Sequence, residues 1–338
     1  MFPVIDSNLR PEALIEQVLP AYGLGAIGRC RLHARGLNDT YRVETAGGET
    51  WFLRVYRHGW RSRAEIECEL AILRHLDRHG APVSIPLART DGTGLTALDC
   101  AEGQRFAAVF TAAPGKEIDY KSYSEEAAGA YAAAAAAAHD AGDTFAGARL
   151  RPALDLGELL ERPLRLVLGA IAHRADDAAY VAALGADLRG RIEGTRGLAH
   201  GFCHGDLHGQ NAGARDGVVT LYDFDCCGFG FRAYDLAVFP WAFALTDAAP
   251  ARIEAMGRAF LGEYLRRRPV GEADIVAIPA FVAIRQIWLV GLHVSLGDRF
   301  GWGWINDRYF DRQLKVLRDW EKNFLDRPAS AWLRAPAA

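Results

Sequence analysis

The sequence has few cysteines, and their spacing matches neither a disulfide framework nor a zinc site. Its 338 residues include six cysteines, and no C-x-x-C pair occurs anywhere in the chain. Small secreted domains are dense in regularly spaced cysteines, whereas cytosolic proteins keep scattered thiols reduced. The pattern therefore predicts reduced thiols and a cytoplasmic location.

Long hydrophobic runs are also missing. The N-terminal stretch MFPVIDSNLRPEALIEQVL carries Asp6, Arg10 and two glutamates, so it lacks the apolar core of a signal peptide. We find no run of about 18 consecutive apolar residues, the length that spans a bilayer. These absences predict that the protein has no membrane partner.

No excess of positive charge is present either. The formal net charge is −3, and the basic run Arg266–Arg268 ends at Pro269, as at a solvated helix terminus. Nucleic acids and anionic membranes select strongly basic surfaces. We therefore expect no nucleic-acid partner, and the sequence does not indicate an oligomeric state.

The first third of the chain has the pattern of a β-rich lobe with one helix. Residues 41–45 and 51–55 alternate between apolar and polar side chains around Gly47-Gly48, which predicts a β-hairpin. Apolar residues recur every three or four positions over 63–79, which predicts a helix that Gly80 ends.

A lobe boundary is predicted after a short buried strand at 106–111, because Pro114-Gly115 follows it. Beyond this point the Ala-rich stretch 125–142 and the segment 155–197 read as helix. Residues 218–225 read as a strand, and helical spacing dominates from Asp235 onward. The expected fold is α+β, with a small β-rich lobe over 1–112, a larger helical lobe over 113–338, and ligands bound in the cleft between lobes.

The stretch CHGDLHGQN at 203–211 concentrates the reactive side chains. Zinc is disfavoured because Cys203–His204 and Cys226–Cys227 are adjacent pairs, whereas zinc ligands are usually spaced by two to four residues. Serine hydrolysis is disfavoured because there is no G-x-S-x-G and no Ser or Thr in the loop.

Phosphoryl transfer fits the stretch better. Asp206 and Asn211 have the D-x-x-x-x-N spacing of a kinase catalytic loop, and Asp223 follows near the end of the predicted strand. In such loops the Asp orients the attacking hydroxyl, while the Asn and a second carboxylate bind magnesium. The three residues together predict an ATP- and Mg²⁺-dependent kinase.

The motifs HGDLHGQN and YDFDCCGFGFRAYDLAVF resemble the aminoglycoside phosphotransferase/choline kinase-like superfamily, whose loop pattern is H-G-D-x-H-x-x-N. IRQIWLVG and WINDRYFDRQ near the C-terminus resemble the branch of bacterial stress-response kinase A, a Ser/Thr kinase, and of homoserine kinase-like proteins. The resemblance implies a protein kinase-like bilobal fold, with an N-terminal nucleotide-binding lobe and a C-terminal lobe for catalysis and acceptor binding.

The resemblance also implies roles for individual residues of the loop. Asp206 would be the catalytic Asp, and Asn211 and Asp223 would bind Mg²⁺. His204 and His208 are expected to brace the loop. For Asp225 we favour a bracing role over a second metal contact, and Asp235 is expected to be a helix N-cap that accepts backbone N–H groups.

The nucleotide site departs from the usual pattern. Kinases of this shape place a basic residue on the third strand and pair it with a helix Glu. Here Arg54 takes the place of the commoner Lys, with Arg57 as the alternative, and Glu69 matches the partner position better than Glu65.

Further nucleotide contacts are expected at Asn38, in a loop between the first two strands, and at Phe110 and Ala112 after the buried strand. The loop can equally be a plain turn, and Phe110 can equally be a core residue. Trp302, Trp304 and their aromatic neighbours either wall an acceptor pocket or pack between helices.

The predicted function is ATP-dependent transfer of phosphate to a hydroxyl, with a small molecule of the aminoglycoside, amino alcohol or homoserine type slightly favoured. The alternatives are a Ser/Thr protein kinase, whose acceptor is a protein side chain, and a non-catalytic pseudokinase. Arg54 alone supports the pseudokinase, and the intact Asp206, Asn211 and Asp223 speak against it.

Overall fold

The computed structural model describes residues 2–333. Packing divides the chain into two compact units. The first contains the described residues up to Pro114 together with Phe145–Leu150, and the second contains Gly115–Thr144 and the chain from Arg151 onward. The first unit thus extends two residues past the expected boundary and includes a later segment that the sequence did not indicate.

The first unit is built on a five-stranded antiparallel sheet with the order β1-β2-β3-β5-β4. Its strands are β1 (Ile27–Arg35), β2 (Asp39–Thr45), β3 (Thr50–Val55), β4 (Thr96–Cys100) and β5 (Gly103–Thr111), and its helices are α1 (Pro11–Gln17) and α2 (Arg63–Arg78).

The predicted hairpin is formed by β2 and β3. Tyr41 pairs with Leu53 and Val43 pairs with Trp51, so the alternating apolar side chains lie on one face. Gly48 has a φ of 89° in the connecting turn, a conformation that glycine adopts without steric cost. Tyr41, Val43 and Leu53 are almost fully buried and join the core of this unit.

Helix α2 has clear start and stop signals. The Ser62 side chain accepts a hydrogen bond from the N–H of Glu65, and the Glu65 side chain accepts one from the N–H of Ser62, which forms a capping box. Gly80, with a φ of 78°, follows the last turn. The predicted helix is confirmed, because its bounds differ from the expectation by one residue.

The second unit is mainly helical. Its helices are α3 (Glu125–Asp143), α4 (Arg162–Ala170), α5 (Ala175–Gly194), α6 (Arg232–Leu245), α7 (Pro250–Arg267), α8 (Glu272–Ser295), α9 (Gly297–Phe300), α10 (Asp307–Trp320) and α11 (Ser330–Leu333). The predicted helix over 155–197 is interrupted between α4 and α5.

Five short strands accompany these helices. They are β6 (Ala153–Leu154), β7 (His200–Cys203), β8 (Ala212–Arg215), β9 (Val218–Leu221) and β10 (Gly228–Phe231). Strands β6, β10 and β7 form one small sheet, and β8 and β9 form an antiparallel hairpin. The predicted strand over 218–225 is therefore too long, because β9 ends at Leu221 and Asp223 has a left-handed φ of 62°.

Within residues 2–333, helix α8 is long and apolar enough to cross a membrane by length and composition, with a mean hydropathy of 2.0 over its best window. Arg285 and Gln286 interrupt its apolar run, so the expectation of no membrane-length segment holds only for unbroken runs. Most of that window, 83%, is buried inside the protein, which is the pattern of a core helix.

Candidate active site

The predicted catalytic loop connects β7 to β8 in the second unit. Gly205 has a φ of 81°, and a Cβ atom at this position would lie 2.0 Å from the carbonyl oxygen of Cys226. Only glycine fits where one backbone approaches another this closely. The loop can therefore turn sharply and place Asp206 directly after the turn.

Asp206 is partly accessible, with 21% of its side chain exposed. One carboxylate oxygen, Oδ1, pairs with the guanidinium of Arg285, and the other, Oδ2, lies 3.6 Å from Nε2 of His208. Burial by itself would raise the pKa of Asp206, but the positive charge of Arg285 and the adjacent histidines outweigh it and lower that pKa. Asp206 is therefore ionised at neutral pH.

Asn211 closes the loop, and its contacts bring Asp223 to the end of the hairpin at which Asn211 lies. Its side-chain Nδ2 donates a hydrogen bond of 2.9 Å to the carbonyl oxygen of Asp206, which leaves its Oδ1 pointing away from that contact. Its own carbonyl accepts from the N–H of Tyr222 at 2.9 Å, where the β8–β9 hairpin ends. Asn211 and Asp223 thus lie at one end of the hairpin.

The donor set at this hairpin end suits magnesium. An amide oxygen and a carboxylate are hard ligands, and Mg²⁺ typically takes one or two protein carboxylates and completes its shell with phosphate oxygens and water. In the part of the chain that the structure describes, no cluster of three or more His, Cys, Asp or Glu side chains could hold a metal by itself.

The two loop histidines contact backbone groups. His204 donates from Nε2 to the carbonyl oxygen of Tyr222 at 2.9 Å, and its Nδ1 accepts from the N–H of Asp206 at 3.3 Å. His208 Nδ1 accepts the backbone N–H of Gln210 at 3.3 Å and also lies 3.3 Å from the hydroxyl of Tyr120, and burial lowers the pKa of His208. Their contacts are those of side chains that brace the loop, as the sequence led us to expect.

Asp235 is not the helix N-cap that the sequence suggested. Helix α6 begins at Arg232, so Asp235 lies inside the first turn, fully buried. Residue type alone favours a cap at this position, but the carboxylate contacts another segment of the chain instead of the first N–H groups of its own helix. It accepts the backbone N–H groups of His204 at 2.6 Å and of Gly205 at 2.8 Å. Asp235 therefore fixes the start of the catalytic loop.

Asp225 is also buried, in the short helical turn that follows Asp223. Its carbonyl oxygen accepts a hydrogen bond from Arg151, which also donates to the carbonyl oxygen of Cys227 at 3.0 Å. These contacts secure the backbone of the turn that carries Asp223.

In the first unit, Arg54 on β3 pairs with Glu69 on α2. Arg54 Nη1 lies 2.8 Å from Glu69 Oε1, and the Tyr56 hydroxyl donates to Glu69 Oε2 at 3.3 Å. Glu69 is fully buried, whereas 11% of the Arg54 side chain is exposed. The guanidinium carbon of Arg54 lies 4.9 Å from the centre of the Phe110 ring, which adds a cation–π contact.

The alternatives to this pair have other contacts. Arg57 lies past the end of β3, and its guanidinium carbon stacks 4.6 Å from the ring centre of Trp60. Glu65 serves the capping box of α2. The structure thus brings together the strand Arg and helix Glu that the sequence favoured.

The remaining sequence candidates in the first unit are engaged with the protein itself. Asn38 is buried, and its Oδ1 accepts the N–H of Arg57 at 3.1 Å, so its side chain braces a turn. Phe110 is buried on β5 and pairs with Phe52. Ala112 follows the last residue of β5, Thr111, whose carbonyl oxygen accepts a hydrogen bond from Ser84.

The C-terminal aromatic residues divide into two groups. Trp302 and Trp304 are 50% and 38% exposed, whereas Tyr309 and Phe310 are buried on α10. Ordinary helix packing therefore accounts for the second pair.

Sequence reasoning missed Arg285 and His139. Arg285, on α8, contacts Asp206, and His139, on α3, contacts Asp235 at 2.8 Å. Both are polar residues inside apolar stretches, AFVAIRQIWL and AAAAAHDAG, and both are almost fully buried. A charged or titratable side chain in an apolar helical stretch needs a partner, and this is the signal that could have identified them.

The sequence also matches known proteins. Residues 30–270 match the phosphotransferase enzyme family. An uncharacterized protein of Deinococcus radiodurans is 42% identical over 95% of this chain and 93% of its own length. More than half of the chain is thus covered by the family match.

Solved structures share the fold. An amicoumacin kinase in complex with AMP-PNP and Ca²⁺ superposes with a TM-score of 0.73 at 18% identity, over 93% of this chain and 94% of that one. A microcompartment-associated aminopropanol kinase gives 0.69 at 21% identity, over 96% and 99%. The predicted α+β, protein kinase-like fold and the resemblance to the aminoglycoside phosphotransferase/choline kinase-like superfamily are confirmed.

The nearest branch within the superfamily stays a prediction. The family match also confirms that the protein is an enzyme that transfers phosphate to a hydroxyl acceptor. On this evidence the chain belongs to the phosphotransferase enzyme family.

Proposed function

We propose that the protein is an ATP- and Mg²⁺-dependent kinase for a small molecule that carries a hydroxyl group. The observation that carries this proposal is the grouping of Asp206, Asn211 and Asp223 in one loop and hairpin of the second unit. A carboxylate that orients a hydroxyl, beside an amide and a second carboxylate that suit Mg²⁺, is the set of groups that phosphoryl transfer requires.

In the proposed reaction the acceptor oxygen forms a bond to the γ-phosphorus of ATP. The bond from that phosphorus to the bridging oxygen breaks, and ADP leaves with the electron pair. The hydroxyl proton passes to Asp206 and from there to solvent. Bound Mg²⁺ would neutralise charge on the phosphate oxygens, held by Asn211 and Asp223.

The lowered pKa of Asp206 fits an orienting role better than strong base catalysis. A carboxylate ionised at neutral pH is a weak base, yet a loose transition state needs little proton removal until the new bond has formed. Asp206 therefore acts mainly by aligning the acceptor oxygen with the γ-phosphate.

The first unit would contribute the nucleotide contacts. Arg54, which contacts Glu69, would donate to the phosphates, since its planar guanidinium can bind two phosphate oxygens at once. Backbone groups of Phe110–Ala112 would contact adenine. Asn38 would act indirectly, since its side chain braces the turn beside β2.

A small-molecule acceptor is favoured over a protein by the names of the structural relatives. Amicoumacin kinase and aminopropanol kinase both act on small molecules by their names. We propose an acceptor of the amino alcohol, aminoglycoside or homoserine type and a cytoplasmic location. A Ser/Thr side chain of a protein is the alternative acceptor. The experiment below distinguishes a small-molecule acceptor from a protein acceptor.

The test incubates the purified protein with Mg²⁺ and ATP labelled on its γ-phosphate, together with a desalted protein extract or a metabolite extract. Asp206→Asn is the matched blank, because it keeps the shape of the side chain and removes its charge. Label in small molecules that the blank does not produce supports the proposal. The labelled compound then identifies the acceptor.

Other outcomes contradict the proposal. Label that appears only in protein bands would mean a protein kinase. ATP binding with no transfer above the blank in either extract would favour the pseudokinase, and equal transfer by Asp206→Asn would show that the catalytic assignment is wrong.

A further inference from the structure

We propose that Arg285 is a positioning residue for Asp206. Arg285 holds one carboxylate oxygen of Asp206, so that the other carboxylate oxygen faces the acceptor hydroxyl. This inference rests on the proposed function, because it assumes that Asp206 receives the hydroxyl. It concerns only residues of the second unit, and all of its contacts lie between the catalytic loop and helices α6 and α8.

The two oxygens of Asp206 have different surroundings. Oδ1 pairs with Nη2 of Arg285, whereas Oδ2 lies 3.6 Å from Nε2 of His208, which is beyond hydrogen-bond distance. Rotation about the last side-chain bond of an Asp is soft and nearly two-fold, so a free carboxylate samples many orientations. A fixed partner on one oxygen removes this freedom and selects the orientation of the other.

Two indole rings hold the guanidinium of Arg285. Its guanidinium carbon lies 4.5 Å from the ring centre of Trp241 and 4.3 Å from that of Trp288, so it makes a cation–π contact with each. Its side chain is 3% exposed. Such contacts favour arginine over lysine, because the guanidinium is flat and weakly hydrated.

Hydrogen bonds fix the remaining orientation of Arg285. Its Nη1 donates to the hydroxyl of Tyr234 at 3.1 Å and reaches the carbonyl oxygen of Gly205 at 3.4 Å. The indole of Trp241 is tied in turn by its Nε1, which donates to Gln286 at 2.9 Å. The same guanidinium therefore contacts both the glycine of the loop and the carboxylate that follows it.

The experiment compares Arg285→Ala and Arg285→Lys with wild type, with Asp206→Asn as reference. Turnover is measured with 1-amino-2-propanol as the probe acceptor and, in parallel, with water as acceptor through release of ADP from Mg²⁺·ATP. We expect Arg285→Ala to reduce kcat by on the order of 10²-fold, the scale of a small misplacement of a reacting group. Arg285→Lys should recover only part of this loss.

Chemical rescue separates positioning from mere stabilisation. Added guanidinium ion should restore activity to Arg285→Ala, by taking the place of the lost side chain beside Trp241 and Trp288, and should restore nothing to Asp206→Asn.

Crystal structures of the two Arg285 variants provide a test that needs no acceptor. We expect the Asp206 carboxylate to be rotated or to occupy two orientations in Arg285→Ala. An unmoved, singly ordered Asp206, together with wild-type kcat in the folded variant, would overturn the inference.

The failure of this inference can be told apart from that of the proposed function. If Asp206→Asn is inactive while Arg285→Ala turns over as wild type, only the positioning role is wrong. If Asp206→Asn turns over as wild type, the proposed function itself is wrong.

Discussion

His139 on α3 donates from Nε2 to the buried carboxylate of Asp235 on α6, across 2.8 Å. The same carboxylate accepts the N–H groups of His204 and Gly205. One hydrogen-bonded pair between two helices thus anchors the first residues of the catalytic loop. The Tyr264 hydroxyl, 2.7 Å from His139 Nδ1, fixes the neutral ring in place.

Asp235→Asn should impair both folding and activity. The amide has only one acceptor oxygen, so its NH₂ would face groups that are themselves donors. A hydrogen bond to a charged group contributes about 1.5–3 kcal/mol, and the Asp235 carboxylate accepts such bonds from His139, His204 and Gly205. We expect a loss of this order in the free energy of unfolding, measured in urea, and a reduced kcat for the folded fraction.

Asp274→Asn is the matched control for Asp235. Asp274 is equally buried and accepts the N–H of Ala199 at 3.0 Å, away from the catalytic loop. The Asp274→Asn variant should have a lower free energy of unfolding, while its kcat per folded molecule should not change. Equal effects of both variants on kcat would contradict a specific role for Asp235.

Stability should fall with acidification through the titration of His139. Burial and the positive charge of Arg232 lower the pKa of His139 to about 4, although Asp235 opposes this. The unfolded state, with a pKa near 6.5, binds the proton first. The contribution of His139 to the free energy of unfolding is therefore complete above pH ~6.5 and is lost as the pH falls toward about 4. The loss is about 1.4 kcal/mol for each unit by which the pKa of His139 differs between the folded and unfolded states.

Urea unfolding of wild type and His139→Gln between these pH values measures this contribution. Glutamine can still donate to Asp235 but does not titrate, so the slope against pH should become shallower. Burial also lowers the pKa of His293 to about 4, and the double variant with His293→Gln should flatten the curve further. An unchanged slope in the double variant would contradict the assignment.

Arg54→Met should weaken the binding of Mg²⁺·ATP, and Arg57→Met should not. A hydrogen bond to a charged group contributes about 1.5–3 kcal/mol, which corresponds to about 10- to 100-fold in affinity. Isothermal titration with AMP-PNP and Mg²⁺ measures both variants. The reverse result would move the phosphate contact to Arg57, the alternative that the sequence left open.

Asp223→Asn should raise the Mg²⁺ concentration needed for half-maximal turnover. Loss of a direct ligand should cost at least the roughly 10- to 100-fold in metal affinity that loss of an outer-shell partner costs. Asp216→Asn is the control, because Asp216 also has a positive φ, 54°, but lies at the other end of the hairpin. Chelation by EDTA should abolish transfer, and persistence of transfer would contradict the metal requirement.

Gly205→Ala should be far more harmful than Gly197→Ala. Both glycines have a positive φ, 81° and 84°, so both substitutions carry the left-handed strain of about 1–2 kcal/mol. A Cβ at Gly205 would also overlap the Cys226 carbonyl oxygen at 2.0 Å, whereas nothing lies within 4 Å at Gly197. Thermal unfolding of the two variants isolates the cost of this close approach, and equal Tm values would contradict it.

Local sequence patterns were enough to predict much of the fold and to place Asp206 and Asn211 in one loop. The β2–β3 hairpin follows from alternation around a glycine turn, and α2 follows from its periodicity and Gly80, because these patterns act over a few residues. The D-x-x-x-x-N spacing likewise places Asp206 and Asn211 in one loop. The Arg54–Glu69 pair could be anticipated because strand and helix are neighbours in sequence.

Contacts between residues far apart in the chain could not be anticipated in this way. Arg285 is separated from Asp206 by 79 positions and His139 from Asp235 by 96, and no local pattern records which buried cation meets which carboxylate. The residue type of Asp235 predicts a helix cap, whereas its burial against the loop gives this carboxylate a different role.

The sequence by itself therefore determined which polar groups stand close together in the chain: a carboxylate, an amide and a second carboxylate at spacings that predict phosphoryl transfer. Only the tertiary structure decided how these groups are held. Burial in a medium of low dielectric makes an unpaired charge costly, so packing of α3, α6 and α8 had to supply a partner for each buried carboxylate. That requirement can be met by many helices, and only the folded chain shows which helix meets it.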